Sequence, residues 1–401
     1  MFFIRCDIPN RGGACHAGNM ENERILEKDI KINWYRSPVD KALMSGLMKK
    51  DDVKAFRHVI LQLGLFALTG TLSYLAFLNV NAANWIWSVP LVLFCLFWHG
   101  TFAAFIGGVA IHELCHKTPF RTASLNDFFL YVFSFLSWSD PVGYRLSHVK
   151  HHQVTVHHDL DGEVILPQKL DWSALQEGDV ILPDRVDGKF ANFILWHVLP
   201  FPHPVSCWER LKLWTRYAFG ELKGLGMFAG GEWWLNRILP EDKAEARQRH
   251  RNWARALLLG HLALAAIFVA TGHWFLVIIV SCSGTYAGWL SSLCSLPQHI
   301  GMGPDVPDFR LCCRTYTCHW FPAFLYWNMQ YHVEHHMFPA VPFYNLPALR
   351  NAIEHDLPPA THGLLATWRQ ILPVIKRQGK DRRFAFVPEL PSRAAVQNAP
   401  L

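Results

Sequence analysis

The chain has 401 residues, of which 51% are hydrophobic and 14% aromatic, while only 17% are charged. That is more apolar and less charged than an ordinary soluble domain. The net charge of +6 fits a basic surface facing a membrane better than a nucleic-acid site, so no nucleic-acid partner is expected.

In chain order, residues 1 to about 30 lack periodicity and include Asn10-Arg11-Gly12-Gly13, which predicts a mobile tail. With the polar lead-in they form a cytoplasmic segment, 1–56, in which no signal peptide is evident. Four apolar segments follow, Val59 to Leu78, Trp85 to Ile111, Ala256 to Thr271 and Trp274 to Leu296, each long enough or nearly so to cross a bilayer. The third is the shortest, with Arg255 snorkelling at its end. Lys49, Lys50, Lys54 and Arg57 precede the first span, Lys117 and Arg121 follow the second, and Arg247, Arg249, Arg251 and Arg255 precede the third. The links Asn79 to Asn84 and Gly272 to His273 carry no Lys or Arg. The positive-inside rule therefore puts both termini and the middle region in the cytoplasm, with the spans forming two hairpins.

Ser124 to Trp138 is too short to span comfortably and is assigned to an interfacial or re-entrant helix. The long section from Asp159 to Glu241 is broken by Pro167, Pro183, Pro200, Pro202 and Pro204. Within it, Trp208 to Met227 reads as an amphipathic helix with Trp208, Leu211 and Trp214 on one face. The expected fold is all-α and integral to the membrane. A domain at 57–360 carries four spans and a cytoplasmic helical cap, followed by a cytoplasmic tail at 361–401.

Three histidine clusters dominate the chain: His112-x3-His116, His148-x2-His151-His152 and His332-x2-His335-His336. With 22 histidines in 401 residues, random placement gives well under one His-x2-His-His pattern. Residues three and four apart share a helix face, so each cluster can aim its imidazoles at one point. Neutral imidazole is the commonest metal ligand and suits redox metals. Eight imidazoles exceed the ligand set of one zinc and fit a pair of metals. By the predicted topology every cluster lies on the cytoplasmic side. Cys312, Cys313 and Cys318 are read as free thiols there.

These clusters, their order and the paired spans resemble the membrane fatty acid desaturase superfamily, and more narrowly its bacterial desaturase-like oxygenases. The resemblance covers most of residues 55 to 360 and extends to Asn328-Met329-Gln330-Tyr331 and Met337-Phe338-Pro339. It implies two iron ions with O2 as co-substrate, bound only by nitrogen ligands and water. The implied ligands are His112, His116, His148, His151, His152, His332, His335 and His336, with His299 in Pro297-Gln298-His299 as the ninth. His157, His158, Asp140, Asp159, Asp161 and Glu334 stand near enough in sequence to orient those imidazoles. The implied reaction is desaturation of a fatty acyl chain held in an apolar tunnel. Hydroxylation, or oxidation of a small amino-acid-derived or hydrocarbon substrate, is the alternative.

A remoter reading is an intramembrane zinc protease, because His112-Glu113-x2-His116 also fits the His-Glu-x2-His pattern. It leaves the other clustered histidines unexplained. The chain shows no His-Pro-Gly-Gly haem segment, dinucleotide fingerprint or iron–sulfur cysteine set. Electrons are therefore expected from a separate carrier, of ferredoxin or cytochrome type, with its reductase. Lys243 to Arg255, with Arg210, Lys212 and Arg216, is the candidate docking surface.

Overall fold

The computed structural model describes residues 31–157, 160–164, 180–182, 185–187, 198–202, 204–223, 228, 230–378, 380–381 and 384–391. The predicted N-terminal tail at 1–30, His158, Asp159 and the end of the C-terminal tail lie outside the described residues.

Helix α1 (Lys41–Leu47) starts where the Asp40 carboxylate accepts from Leu43 N–H, and α2 (Asp52–Leu78) where Asp51 accepts from Val53 and Lys54. Across the 79–84 turn, α3 (Trp85–Phe105) passes through a π-helical turn, Ile106–Ala110, into α4 (Ile111–Cys115). A π turn inserts a residue and rotates everything beyond it, a device common next to functional sites. Here it sets the direction of the first histidine pair. Gly107 lies in that turn because a Cβ there would meet Ser137 Cβ at 2.7 Å, so glycine lets α5 (Ala123–Ser137) approach. Helix α6 (Pro141–Val154) begins with proline at its first turn, under an Asp140 cap on Val142 N–H.

A small antiparallel pair, β1 (Val180–Leu182) with β2 (Arg185–Asp187), precedes α7 (Pro204–Ala218), α8 (Gly231–Ile238) and α9 (Ala244–Ala270). The last third holds α10 (Trp289–Ser295), α11 (Phe309–Cys312), α12 (Trp320–Leu325), α13 (His332–Met337), α14 (Leu346–Ile353) and α15 (Leu364–Gln378). A parallel pair, β3 (Tyr316–Thr317) with β4 (Thr361–His362), ties the segment before the third cluster to α15. The fold is mostly helical, and these two strand pairs correct the all-α expectation.

Three helices among the described residues are long and apolar enough to cross a membrane: Asp52–Leu78, Trp85–Cys115 and Ala244–Ala270. The expected fourth span, Trp274 to Leu296, is broken. It runs through a π turn at Val277–Ser281, a 3-10 turn at Ser283–Thr285 and a left-handed Ala287 before α10. Counting charges missed this, because serine, threonine and glycine compete with helix formation without carrying charge. The released carbonyls bind neighbouring elements. His99 Nε2 lies 2.9 Å from Ile279 O, Trp138 Nε1 donates to Ser281 O at 2.8 Å, and Arg210 Nη2 donates to Gly284 O at 3.1 Å.

The two charge-free links sit together, since Tyr74 OH is 2.5 Å from His273 Nδ1 and Phe77 stacks on Phe275 at 4.1 Å. Helix α3 starts at that end, and its continuation α4 carries His112 to the other. The amphipathic segment is shorter than expected, ending at Ala218 before Gly220 (φ +85). Its buried stripe holds Arg210, Leu213, Trp214 and Tyr217, while Trp208 and Leu211 are exposed. The main core, including Ile111, Leu114, Phe133, Trp327, Val333 and Phe343, packs around the histidine clusters.

Candidate metal centre

Four elements deliver the histidines. The end of α4 carries His112 and His116, α6 carries His148, His151 and His152, and α13 carries His332, His335 and His336. His299 follows a 3-10 turn, Leu296–Gln298. Fold and spacing together bring all nine into one buried region. Two groups of donor atoms form, each within 4.8 Å internally: His112, His116, His148, His152 and His335, and beside it His299, His332, His336 and Cys313. His151 lies against the second group, its ring 5.0 Å from His336 and 5.3 Å from His299. The groups adjoin, with His152 and His336 stacked at 4.2 Å.

The imidazoles meet through Nε2. His148 and His152 approach to 3.0 Å, His152 and His335 to 3.2 Å, His299 and His332 to 3.0 Å, and His332 and His336 to 3.1 Å. With metal–nitrogen bonds of about 2.1 Å, two ligands at right angles on one ion stand about 3.0 Å apart. Buried His112 Nε2 and His116 Nε2 have no hydrogen-bond partner. An orphaned acceptor there is costly unless something binds it. Burial first, then mutual repulsion, holds His116, His148, His152, His332, His335 and His336 well below the ordinary imidazole range. Neutral rings with converging lone pairs fit a pair of metal ions.

Behind five rings the Nδ1 atoms are anchored, which fixes the tautomer that leaves Nε2 free. His112 Nδ1 lies 3.0 Å from Glu113 Oε1, His148 Nδ1 2.6 Å from Glu163 Oε1, and His151 Nδ1 2.8 Å from Asp161 Oδ2. His299 Nδ1 is 2.9 Å from Cys312 O, and His336 Nδ1 is 3.2 Å from Thr155 Oγ1. Burial disfavours charge on His151, but the Asp161 carboxylate outweighs it and raises that pKa. Burial also pushes the Glu163 carboxyl up to about 7.

Glu163, Thr155 and the Cys312 carbonyl were not foreseen, and Glu113 was expected only in the zinc-protease reading, not as the anchor of His112. Glu163 extends the alternation Asp159-x-Asp161-x-Glu163, the one available signal in the sequence. It is held by Ser147 Oγ, which in turn accepts from Trp234 Nε1.

Other expected residues have different partners. The Asp140 carboxylate is 2.7 Å from His250 Nδ1 as well as capping α6. Glu334 faces away from the rings, accepting from Thr315 Oγ1 at 2.5 Å and Arg350 Nη1 at 3.1 Å. His157 Nδ1 lies 3.0 Å from Thr155 O and its ring meets Trp34 edge-on. Arg210 is buried and cannot serve a docking surface. Arg247 and Arg255 donate to the Leu239 and Ala218 carbonyls, and Arg249 pairs with Glu245.

A family model described as "Fatty acid desaturase" matches residues 85–368, a stretch that contains all nine histidines and Cys313. The chain is also 24% identical over 333 residues to the Delta(6)-fatty-acid desaturase fat-3 of Caenorhabditis elegans, covering 78% of this chain and 67% of that protein. A zinc protease is not favoured, since His112 and His116 converge with three further histidines. The chain thus belongs to the fatty acid desaturase family and is an oxidoreductase of the desaturase type.

Proposed function

We propose that the nine histidines hold two iron ions and that the protein introduces a C=C bond into a fatty acyl chain, using O2 and electrons from a separate carrier. The observation that carries this reading is the division of buried, neutral imidazoles into two adjoining groups. The chemistry such a pair supplies when bound is four-electron reduction of O2, two electrons coming from the acyl C–H bonds and two from the carrier. Glu113, Glu163, Asp161, Thr155 and the Cys312 carbonyl keep Nε2 of their histidines turned inward. The surrounding core keeps water from the reacting carbons, and the protein's remaining task is to align the chain.

A multi-pass arrangement with the centre and both termini in the cytoplasm is part of the proposal. In support, the basic residues flank the spans at the end where the histidines gather. The carrier, of ferredoxin or cytochrome type, would dock on the same side. Exposed Arg216, Lys243 and Arg249, with Lys212 beside Trp208, are the cations of the expected patch left for it.

Expression in a lipid-defined host, with profiling of both acyl chains and polar metabolites, tests the reading. A new unsaturated acyl chain that disappears in a His332→Ala variant supports it. An unchanged lipid profile with a new oxidised polar product would move the substrate to the small-molecule class.

A further inference from the structure

We infer that Cys313 supplies a sulfur donor to the second metal, an inference that rests on the two-metal reading above. The nine histidines divide unequally. Five lie in the first group, while His151, His299, His332 and His336 surround the second position. Cys313 Sγ falls within 4.8 Å of the donor nitrogens of His299, His332 and His336, and all four residues are buried. On one ion, nitrogen at about 2.1 Å and sulfur at about 2.3 Å stand at most about 4.4 Å apart. Contraction by a few tenths of an ångström closes the set. Five donors then face each metal.

The thiol is delivered by construction. Helix α11 ends at Cys312, and Cys313 is extended (φ −121, ψ 158). Both neighbours of Cys313 in the chain bind the turn that carries His299. Cys312 O receives His299 Nδ1, while Arg314 N–H donates to Gln298 O at 2.8 Å. Arg314 Nη1 adds bonds to Pro297 O and Ile300 O. Cys313 and His299 are thereby strapped together on one scaffold.

On binding, the S–H bond breaks, a metal–sulfur bond forms and the proton leaves to solvent, with no change in electron count. A thiolate is a softer donor than imidazole, so the two metals become chemically inequivalent. This departs from the all-nitrogen centre that the sequence resemblance implies.

Cobalt(II) in place of iron, in the full-length chain in detergent, tests the inference. The expected result is two cobalt ions per chain with a near-ultraviolet thiolate-to-cobalt charge-transfer band. Cys313→Ser should keep both ions at saturating cobalt and lose the band, and Cys312→Ser should keep it. Two ions without the band, or a band that survives Cys313→Ser, overturns the sulfur donor and leaves the two-metal reading standing. A wild-type chain that fails to bind two ions overturns both. Should the variant fail to fold, X-ray absorption at the cobalt edge of the wild type decides, by the presence or absence of a sulfur neighbour at about 2.3 Å.

Discussion

Asp161 holds His151 Nδ1 at 2.8 Å while accepting from the backbone N–H groups of Val156 and Glu163. A single carboxylate thus fixes both an imidazole and the loop that brings Glu163 to His148. Asp161→Asn removes the charge that favours this geometry. The variant is expected to retain metal roughly 10- to 100-fold less tightly. Metal content after a chelator challenge measures this, and wild-type retention would contradict it.

Glu334 and Arg350 form a buried ion pair at 3.1 Å between α13 and α14, with side chains 0% and 7% exposed. Arg350→Met leaves the carboxylate without its cation and is expected to cost about 3–5 kcal/mol. Adding Glu334→Gln should recover part of that loss. Denaturation midpoints of the single and double variants check the coupling, and additive losses would show that the pair does not act as a unit.

Asp127 joins α5 to Lys117 at 3.0 Å and to Arg145 on α6 at 2.6 Å. Burial opposes its charge, but the two cations outweigh it and lower the carboxyl pKa. A carboxylate depressed in the folded state contributes above its unfolded value and loses that contribution as pH falls through the folded one. Because the pair is partly exposed, Asp127→Asn should cost only about 0.2–1 kcal/mol at neutral pH. The difference from wild type should fade below about pH 4. Stability measured across that window tests the sign, and a difference that grows on acidification would refute it.

Gly107 tests the π turn. A methyl group there meets Ser137 Cβ at 2.7 Å, a contact with backbone-bound carbon that cannot swing away. Gly107→Ala is expected to destabilise by about 1–3 kcal/mol. It should also disturb metal binding through His112, five residues on. A variant as stable as wild type would mean that α5 yields without cost.

The histidine clusters were legible because each is local: spacing of three and four within one helix declares a shared face before any tertiary contact exists. His299 needed the family resemblance, being a lone histidine with no spacing of its own. Glu163, Thr155, Cys312 and Cys313 reach the rings only after the chain has folded, and apart from the alternation that Glu163 continues none of them is marked in the sequence. Asp140 shows the converse. It stands close to the second cluster along the chain, yet its carboxylate meets His250 across the fold. The broken segment at 274–296 was misread because apolarity reports on burial, whereas its serines and glycines govern backbone geometry.

The most direct test of the account is metal stoichiometry of the purified full-length chain reconstituted anaerobically with ferrous iron, combined with iron Mössbauer spectroscopy. Two irons per chain, in two distinguishable environments and lost together with the desaturated product in His148→Ala, is the predicted result. One tightly bound zinc per chain, with iron neither retained nor required, would contradict it.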